Sequence, residues 1–230
     1  MKKSVIVLSL GGSLIIPDDV DIKLLKQLKQ IILKHTKKFK FIIVCGGGSI
    51  ARKYIHALRE SGINQTLQGY AGISATRMNA RFMNYLFNQD PQKGIPHTNR
   101  TLKKYLKKQD IVFCGALEYK PNQTSDSTSA QLAKTFNAQF INLTNVNGLY
   151  DKNPHKFKSA KLISNINWKN FDKLAKASKF QPGQHFVLDQ TASEIIMKEK
   201  IPTYIINGKK PQQLDNFLKG KKFTGTIIQN

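Results

Sequence analysis

Two glycine turns are the residues of this sequence best suited to chemistry. Gly11-Gly12-Ser13 follows the apolar run SVIVLSL, and Gly46-Gly47-Gly48-Ser49 follows FIIVC. Glycine lets a backbone approach an anion without a Cβ clash. Successive inward-turned amides form anion-binding concavities, and Ser13 adds a hydroxyl donor. The second turn opens a segment with helical spacing, and the free N–H groups of a helix start bind anions. Arg52, three residues beyond Ser49, falls in the first helical turn and can reach the same anion with two N–H groups. Lys53 and His56 are expected to face solvent. Two such sites at neighbouring strand ends suit an enzyme that holds two phosphates and moves a phosphoryl group between them. Neither turn fits GxxxxGK[ST] or the GxGxxG dinucleotide fingerprint. A plain tight turn explains the first GGS equally well when it is taken alone.

Two further segments carry polar groups that matter to such a site. Gln123-Thr124-Ser125-Asp126-Ser127 stands just ahead of a helical segment. Short hydroxyls and an acid there are ordinary capping chemistry, and they are also what orients a nucleotide and its catalytic groups. In NLTNVNGLYDKNP, 142–154, a strand ends at Thr144 and Asn145, a turn follows at Asn147-Gly148, and Tyr150 and Pro154 come next. That arrangement is either a purine pocket or a β-turn with a packing tyrosine.

The elements that must position these residues alternate strand with helix, which implies an α/β fold with a mostly parallel sheet covered on both faces. Strands are expected at 4–10, 40–45, 111–114, 139–143, 203–206 and 225–229, all nearly continuous in apolar character, as doubly covered strands are. Helices are expected at 21–36, 49–61, 71–88, 126–136, 168–178, 190–199 and 210–219. The first places Ile22, Leu25, Leu28, Ile31, Ile32 and His35 on one face, with Asp19 or Asp21 as its cap. The stretch 89–109 reads as a surface excursion with a short helix near 100–108, and 151–167 as a polar loop. Neither resembles a linker, so residues 1–230 are read as a single domain.

Composition removes several classes. No run of about 18 apolar residues exists to span a bilayer. The N-terminal MKKSVIVLSLGGSL is too short and too β-branched for a secretory signal and suits a core strand. Cys45 and Cys114 each end an apolar run and read as reduced thiols of a cytoplasmic protein. The formal charge is +23, from 37 Lys+Arg against 14 Asp+Glu. Only five of the basic residues are arginine, and the lysines scatter rather than forming an arginine-and-aromatic stripe. A solvated surface and compositional bias account for this charge, with nucleic acid an incidental partner.

Taken together, the segments resemble the amino acid kinase family, and within it the archaeal-type uridylate kinases. The matching runs are SLGGSLIIP, CGGGSIARKYI, GISATRMNA, TSDSTSAQLAKTFNAQFINLTNVNGLYDKNP, VLDQTASEII and FTGTII, in order along nearly the whole chain. The resemblance implies a three-layer αβα sandwich, usually in a hexamer. It implies transfer of the ATP γ-phosphoryl group to UMP, giving UDP, with Mg²⁺. The N-terminal half would form the UMP side and the C-terminal half the ATP side. By position, Gly12 and Ser13 would touch the ATP phosphates, Gly47 the UMP phosphate, and Gly48 and Arg52 the transferring group. Thr124 and Ser125 would close on uridine, while Thr144, Asn145 and Tyr150 would surround adenosine with Asn153 nearby. Asp126 would organise the catalytic groups, acting with Arg52 and Ser13. No residue is assigned as a metal ligand. Five positions depart from the family pattern. Ser9 replaces a common Lys, Asn147 and Asn153 replace aspartates of the ATP loop, and Glu194 stands where archaeal relatives carry Lys. Gly69, in the UMP set, replaces an Asp that contacts the ribose. Another phosphate acceptor on the same fold, or a non-catalytic nucleotide- or RNA-binding relative, remain the competing expectations.

Overall fold

The computed structural model describes residues 3–119, 124–154, 156–177 and 187–230. The strands are β1 (Ser4–Leu10), β2 (Phe39–Cys45), β3 (Ile111–Cys114), β4 (Gln139–Thr144), β5 (Leu149–Tyr150), β6 (Leu162–Ile163), β7 (Asn165–Ile166), β8 (Thr203–Asn207) and β9 (Gly225–Ile228). Seven of them form one sheet in the order β3-β2-β1-β4-β8-β9-β7, and β5 pairs with β6 in a separate ribbon. The five strands from β3 to β8 run parallel. β9 is antiparallel to β8, and β7 is parallel to β9.

Side-chain alternation along the strands produces the layers. On β1, Ile6, Leu8 and Leu10 enter one core while Val7 enters the other. The first core is closed by α2 (Ile22–His35), α4 (Gln65–Leu86) and α9 (Pro211–Leu218), through Leu25, Leu28, Met83 and Leu214. The second is closed by α5 (Asn99–Lys108), α6 (Ser125–Phe136), α7 (Trp168–Ala177) and α8 (Gln190–Glu199), through Leu102, Leu132, Phe171 and Ile196. A one-residue slip of β1 would exchange the two sets, so burial fixes the register. The result is the expected αβα sandwich around a mainly parallel sheet.

The chain runs from β1 outward to β2 and β3, then returns to β4 on the other side of β1. This switch opens a crevice at the carboxyl ends of β1 and β4, where α/β sheets bind ligands. The turn after β1 and the Thr144–Asn145 segment both lie there.

Several expectations shift. α4 begins at Gln65 rather than 71, because the Asn64 side chain caps it by accepting from the Leu67 amide. Its first turns expose Leu67 and Tyr70 and contain Gly69 and Gly72, so no buried stripe announced it. The first glycine turn continues into a one-turn helix, α1 (Gly12–Ile15). The supposed loop 151–167 holds β6 and β7. On α2, Asp21 is the cap and Leu24 is buried, while Ile22 points outward. The helix expected at 168–178 runs to Ala177, its last residue lying outside the described set. Among the described residues, no helix is long and apolar enough to cross a membrane.

Candidate active site

The two glycine turns are packed backbone against backbone. A Cβ on Gly12 would lie 2.0 Å from the Gly48 nitrogen and 2.9 Å from the Gly46 carbonyl carbon. One on Gly46 would lie 2.4 Å from the Gly12 nitrogen. Gly48 also has φ +64°, in the left-handed region that favours glycine. Strand and helix hydrogen bonds hold the contact. The Gly46 amide donates to Leu10 O (2.9 Å), and the Ser49 amide to Ile16 O (3.1 Å). The buried Asn79 Nδ2 donates to Gly46 O (2.7 Å). The turns open α1 and α3 (Gly48–Glu60), whose first amides have no intrahelical acceptor. Two helix N-termini therefore meet at one point, each presenting the positive end of its dipole.

Arg52 is the fifth residue of α3, just past its first turn rather than in it, and is exposed, with Nη2 donating to Pro17 O (3.2 Å). Among the described residues it makes no ion pair, so its remaining N–H groups are unneutralised. Lys53 and His56 are exposed, as expected.

Asp126 occupies the first turn of α6, half-buried against β1. The buried Ser9 hydroxyl donates to its Oδ1 (2.8 Å). Loss of solvent pushes its pKa up to about 7; the neighbouring Asp189 carboxylate adds to the rise, and the Ser9 hydrogen bond opposes it. Thr124 joins the two acids: it caps α6 and donates through Oγ1 to Asp189 Oδ2. Asp189 in turn caps α8 by accepting from the Ala192 amide (2.8 Å). Thr124 is thus a helix cap and a member of a polar cluster at once, with Ser127 completing the capping box, while Ser125 and Asp126 follow in the first turn. Gln123 lies outside the described residues.

Thiol chemistry has no part here. Cys45 and Cys114 are free and buried. Burial pushes the Cys114 thiol up to about 12 and the Cys45 thiol well up, with a further contribution from Cys114, so neither forms a thiolate near neutral pH.

The profile of the Amino acid kinase family matches residues 4–207. The chain belongs to this family. It is 31% identical over 225 residues to a uridylate kinase of Thermococcus kodakarensis, covering 97% of this chain and 99% of that one. It is 35% identical over 226 residues to a uridylate kinase of Thermoplasma volcanium, covering 97% of each. The crystal structure of uridylate kinase from Archaeoglobus fulgidus superimposes with a TM-score of 0.84 at 31% identity, covering 97% of this chain and 99% of that chain.

As an amino acid kinase, the chain places its remaining segments at the same edge of the sheet. Thr144 O accepts from the Gly208 amide (2.7 Å), and Asn145 is exposed. Asn147 Oδ1 accepts from Asn207 Nδ2 (2.9 Å), so this asparagine ties the β4 and β8 ends together. Tyr150 lies half-buried on β5, and the Asn153 carbonyl accepts from the Lys156 and Phe157 amides. Thr226 Oγ1 accepts from the Leu149 amide (2.8 Å) and donates to Ile163 O (2.6 Å), which locks the β5–β6 ribbon to β9.

The departures from the family pattern have distinct fates. Ser9 is the direct partner of Asp126. Glu194 is exposed on α8, 3.4 Å from the Lys176 ammonium. Gly69 lies inside α4, beneath the ring of Tyr119. Asp189, Asn79 and Tyr119 were not singled out from the sequence. Asp189 gave the one usable signal, an acid directly ahead of the helical run QTASEII. Asn79 sits in the GISATRMNA run but shows no pattern until the strand end it supports is in place.

Proposed function

We propose that the chain is an ATP-dependent UMP kinase that acts as one domain, residues 1–230, and forms UDP by direct phosphoryl transfer. The observation that carries this reading is the contact between Gly12 and Gly46–Gly48. Two helix N-termini in backbone contact would set two bound phosphates next to each other, which is the arrangement transfer between them requires. The relatives named uridylate kinase supply the identity of donor and acceptor.

In this reading Gly12 and Ser13 hold the ATP phosphates, and Gly47 the UMP phosphate. A UMP phosphate oxygen attacks the γ-phosphorus as the bond to the β–γ bridging oxygen breaks. Gly48 and Arg52 stabilise the charge on the transferring oxygens. Thr144, Asn145, Tyr150 and Asn153 surround adenosine, while Thr124, Ser125 and Gly69 lie on the uridine side. Asp126, oriented by Ser9, organises the donors around the reacting group.

Mg²⁺ suits this donor set only as a companion of the triphosphate. Among the described residues no group of three or more His, Cys, Asp or Glu side chains could hold a metal. Asp126 and Asp189 are hard oxygen donors that could complete the shell of an ion carried mainly by phosphate oxygens and water. Such an ion would neutralise phosphate charge. We further propose a homo-oligomer, supported by the exposed Tyr54, Met78 and Tyr85 of α3 and α4.

Glu194 pairs with the Lys176 ammonium at 3.4 Å, so an opposite charge already offsets its carboxylate. This weighs against the non-catalytic reading. Incubation with ATP, Mg²⁺ and UMP should give UDP, with CMP and dCMP as comparison acceptors. Turnover of another acceptor without turnover of UMP would overturn the assignment.

A further inference from the structure

An aromatic pair stands on the stretch of α4 that packs near the Gly47 turn. Tyr70 on α4 and Tyr119 beyond β3 stack with centroids 4.9 Å apart and planes 21° from parallel. Tyr70 is 50% exposed and Tyr119 half-buried, so neither ring is sealed into the core. The backbone leading to Tyr119 is fixed. The Ala116 amide donates to Thr76 Oγ1 (3.1 Å). Arg77 donates to Ala116 O (3.1 Å) and Leu117 O (2.6 Å).

Gly69 makes room for the ring. A Cβ there would lie 2.5 Å from Tyr119 Cε2, so any other residue displaces the tyrosine. The pair also has a defined place relative to the turn. A Cβ on Gly47 would lie 3.6 Å from both Ala75 Cβ and Gly72 O on α4. Gly72 is about one helical turn, about 5 Å, from Gly69. A nucleoside monophosphate whose phosphate sits on the Gly47 turn has only its sugar between that phosphate and its base, which matches this offset.

We propose that Tyr119, backed by Tyr70 and admitted by Gly69, is the stacking platform for the pyrimidine base of the acceptor. It is an acceptor-binding residue rather than a catalytic one. The inference rests on the reading of the Gly47 turn as the acceptor-phosphate site. Every base has a π-face, so such a wall contributes affinity for the base without reading its edge. No side chain at position 69 can hydrogen-bond to the sugar while Tyr119 is in place.

The test is a mutant cycle on the full chain with steady-state kinetics in ATP, Mg²⁺ and UMP. Tyr119→Ala should raise the UMP KM at least about fivefold, the lower end of one base–aromatic stack. The ATP KM should hold, and kcat should change far less than the UMP KM. Tyr119→Phe should restore the UMP KM, because the ring and not the hydroxyl carries the effect. Gly69→Ala should mimic Tyr119→Ala by displacing the ring, and should add nothing in the Tyr119→Ala background. A folded Tyr119→Ala protein with the wild-type UMP KM overturns the proposal, as does full additivity of the two substitutions. If Tyr119→Ala fails to fold, Gly69→Ala against the wild type decides. If the wild type makes no UDP, the kinase reading fails, and calorimetric titration with UMP alone decides this one. Tighter UMP binding by the wild type than by Tyr119→Ala supports the platform; equal or no binding overturns it.

Discussion

Asp126 and Asp215 are treated in opposite ways by the same fold. Asp126 lies at the carboxyl edge of the sheet, where α6 starts. Its partners are a neutral serine hydroxyl and a second carboxylate, and its proton is held up to about pH 7. Asp215 lies on α9 against the end of α2, just before β2 begins, at the amino edge. It is surrounded by donors: His35 Nε2 at 2.8 Å, Lys219 Nζ at 2.5 Å and Lys34 Nζ at 3.5 Å. The Lys219 hydrogen bond, then that from His35, hold its carboxyl well below the usual carboxylate range against the opposing effect of burial. Structural charge is neutralised within the protein, whereas the charge at the proposed site is left for a ligand to meet. Perturbed acids in clefts mark functional sites for this reason.

The largest expected effect tests whether that asymmetry reflects function. Asp126→Asn should lower kcat by about 10²–10³-fold, the loss typical of one preorganised electrostatic group. It should not lower thermal stability, because it removes a carboxylate that faces another carboxylate. Retained turnover with a large fall in melting temperature would make Asp126 a scaffold residue like Asp215. The reciprocal change, Asp215→Asn, should cost about 1–3 kcal/mol of stability by weakening charged hydrogen bonds, read from chemical denaturation. Its kcat should stay at the wild-type value.

What the sequence revealed follows the same division between scaffold and site. β1 and β3 are read to the residue, because strands buried on both faces are nearly continuous in apolar character, Ser9 being the buried exception on β1. The helices with buried stripes, such as α2 and α6, are legible to within a residue or so. α4 is not, because its start rests on the Asn64 side chain and its first turns carry two glycines and exposed apolar residues. The glycine turns were legible as turns between strand and helix, but their contact with each other was not. A Cβ clash between positions 12 and 48 needs β1 beside β2 before it has meaning. Thr124 and Asp189 show why local patterns mislead: each is an ordinary helix cap by sequence, and only the approach of α6 to α8 joins them. Tyr119 had no periodic or motif signal at all, since its partners Gly69 and Tyr70 are on another element.

A smaller effect is the pH dependence of stability, in which the two aspartates have opposite signs. The folded chain keeps the Asp126 proton up to about pH 7, while the unfolded chain releases it near the ordinary aspartate value of 3.8. The folded state therefore binds more protons between these values, and stability falls as pH rises through them. The slope approaches about 1.4 kcal/mol per pH unit at most. For Asp215 the folded state releases its proton first. Its contribution is fully present above the unfolded value and is lost as the solution is acidified below about pH 4. Melting temperatures of the wild type and Asp126→Asn, followed from pH 4 to 8, should converge toward the acid end and separate toward neutrality. Parallel curves would show that Asp126 ionises in the folded protein as it does in the unfolded chain.

The smallest change isolates the one favourable contact Asp126 has. Ser9→Ala removes the hydroxyl that donates to Oδ1 and leaves burial and Asp189 as the remaining influences, both of which raise the pKa. In the Ser9→Ala background the separation from the curve lacking the Asp126 carboxylate should still begin near pH 4, where the unfolded chain ionises, but should keep growing to a higher pH, by about one unit or less for a single neutral hydrogen bond of about 0.5–1.5 kcal/mol. The rate should fall by less than in Asp126→Asn, because the carboxylate is still present and only its orientation and ionisation are impaired. A double variant separates these two roles. If Ser9 acts only through Asp126, then Ser9→Ala in the Asp126→Asn background should have no further effect on kcat. A further loss in that background would place Ser9 in contact with the substrates themselves.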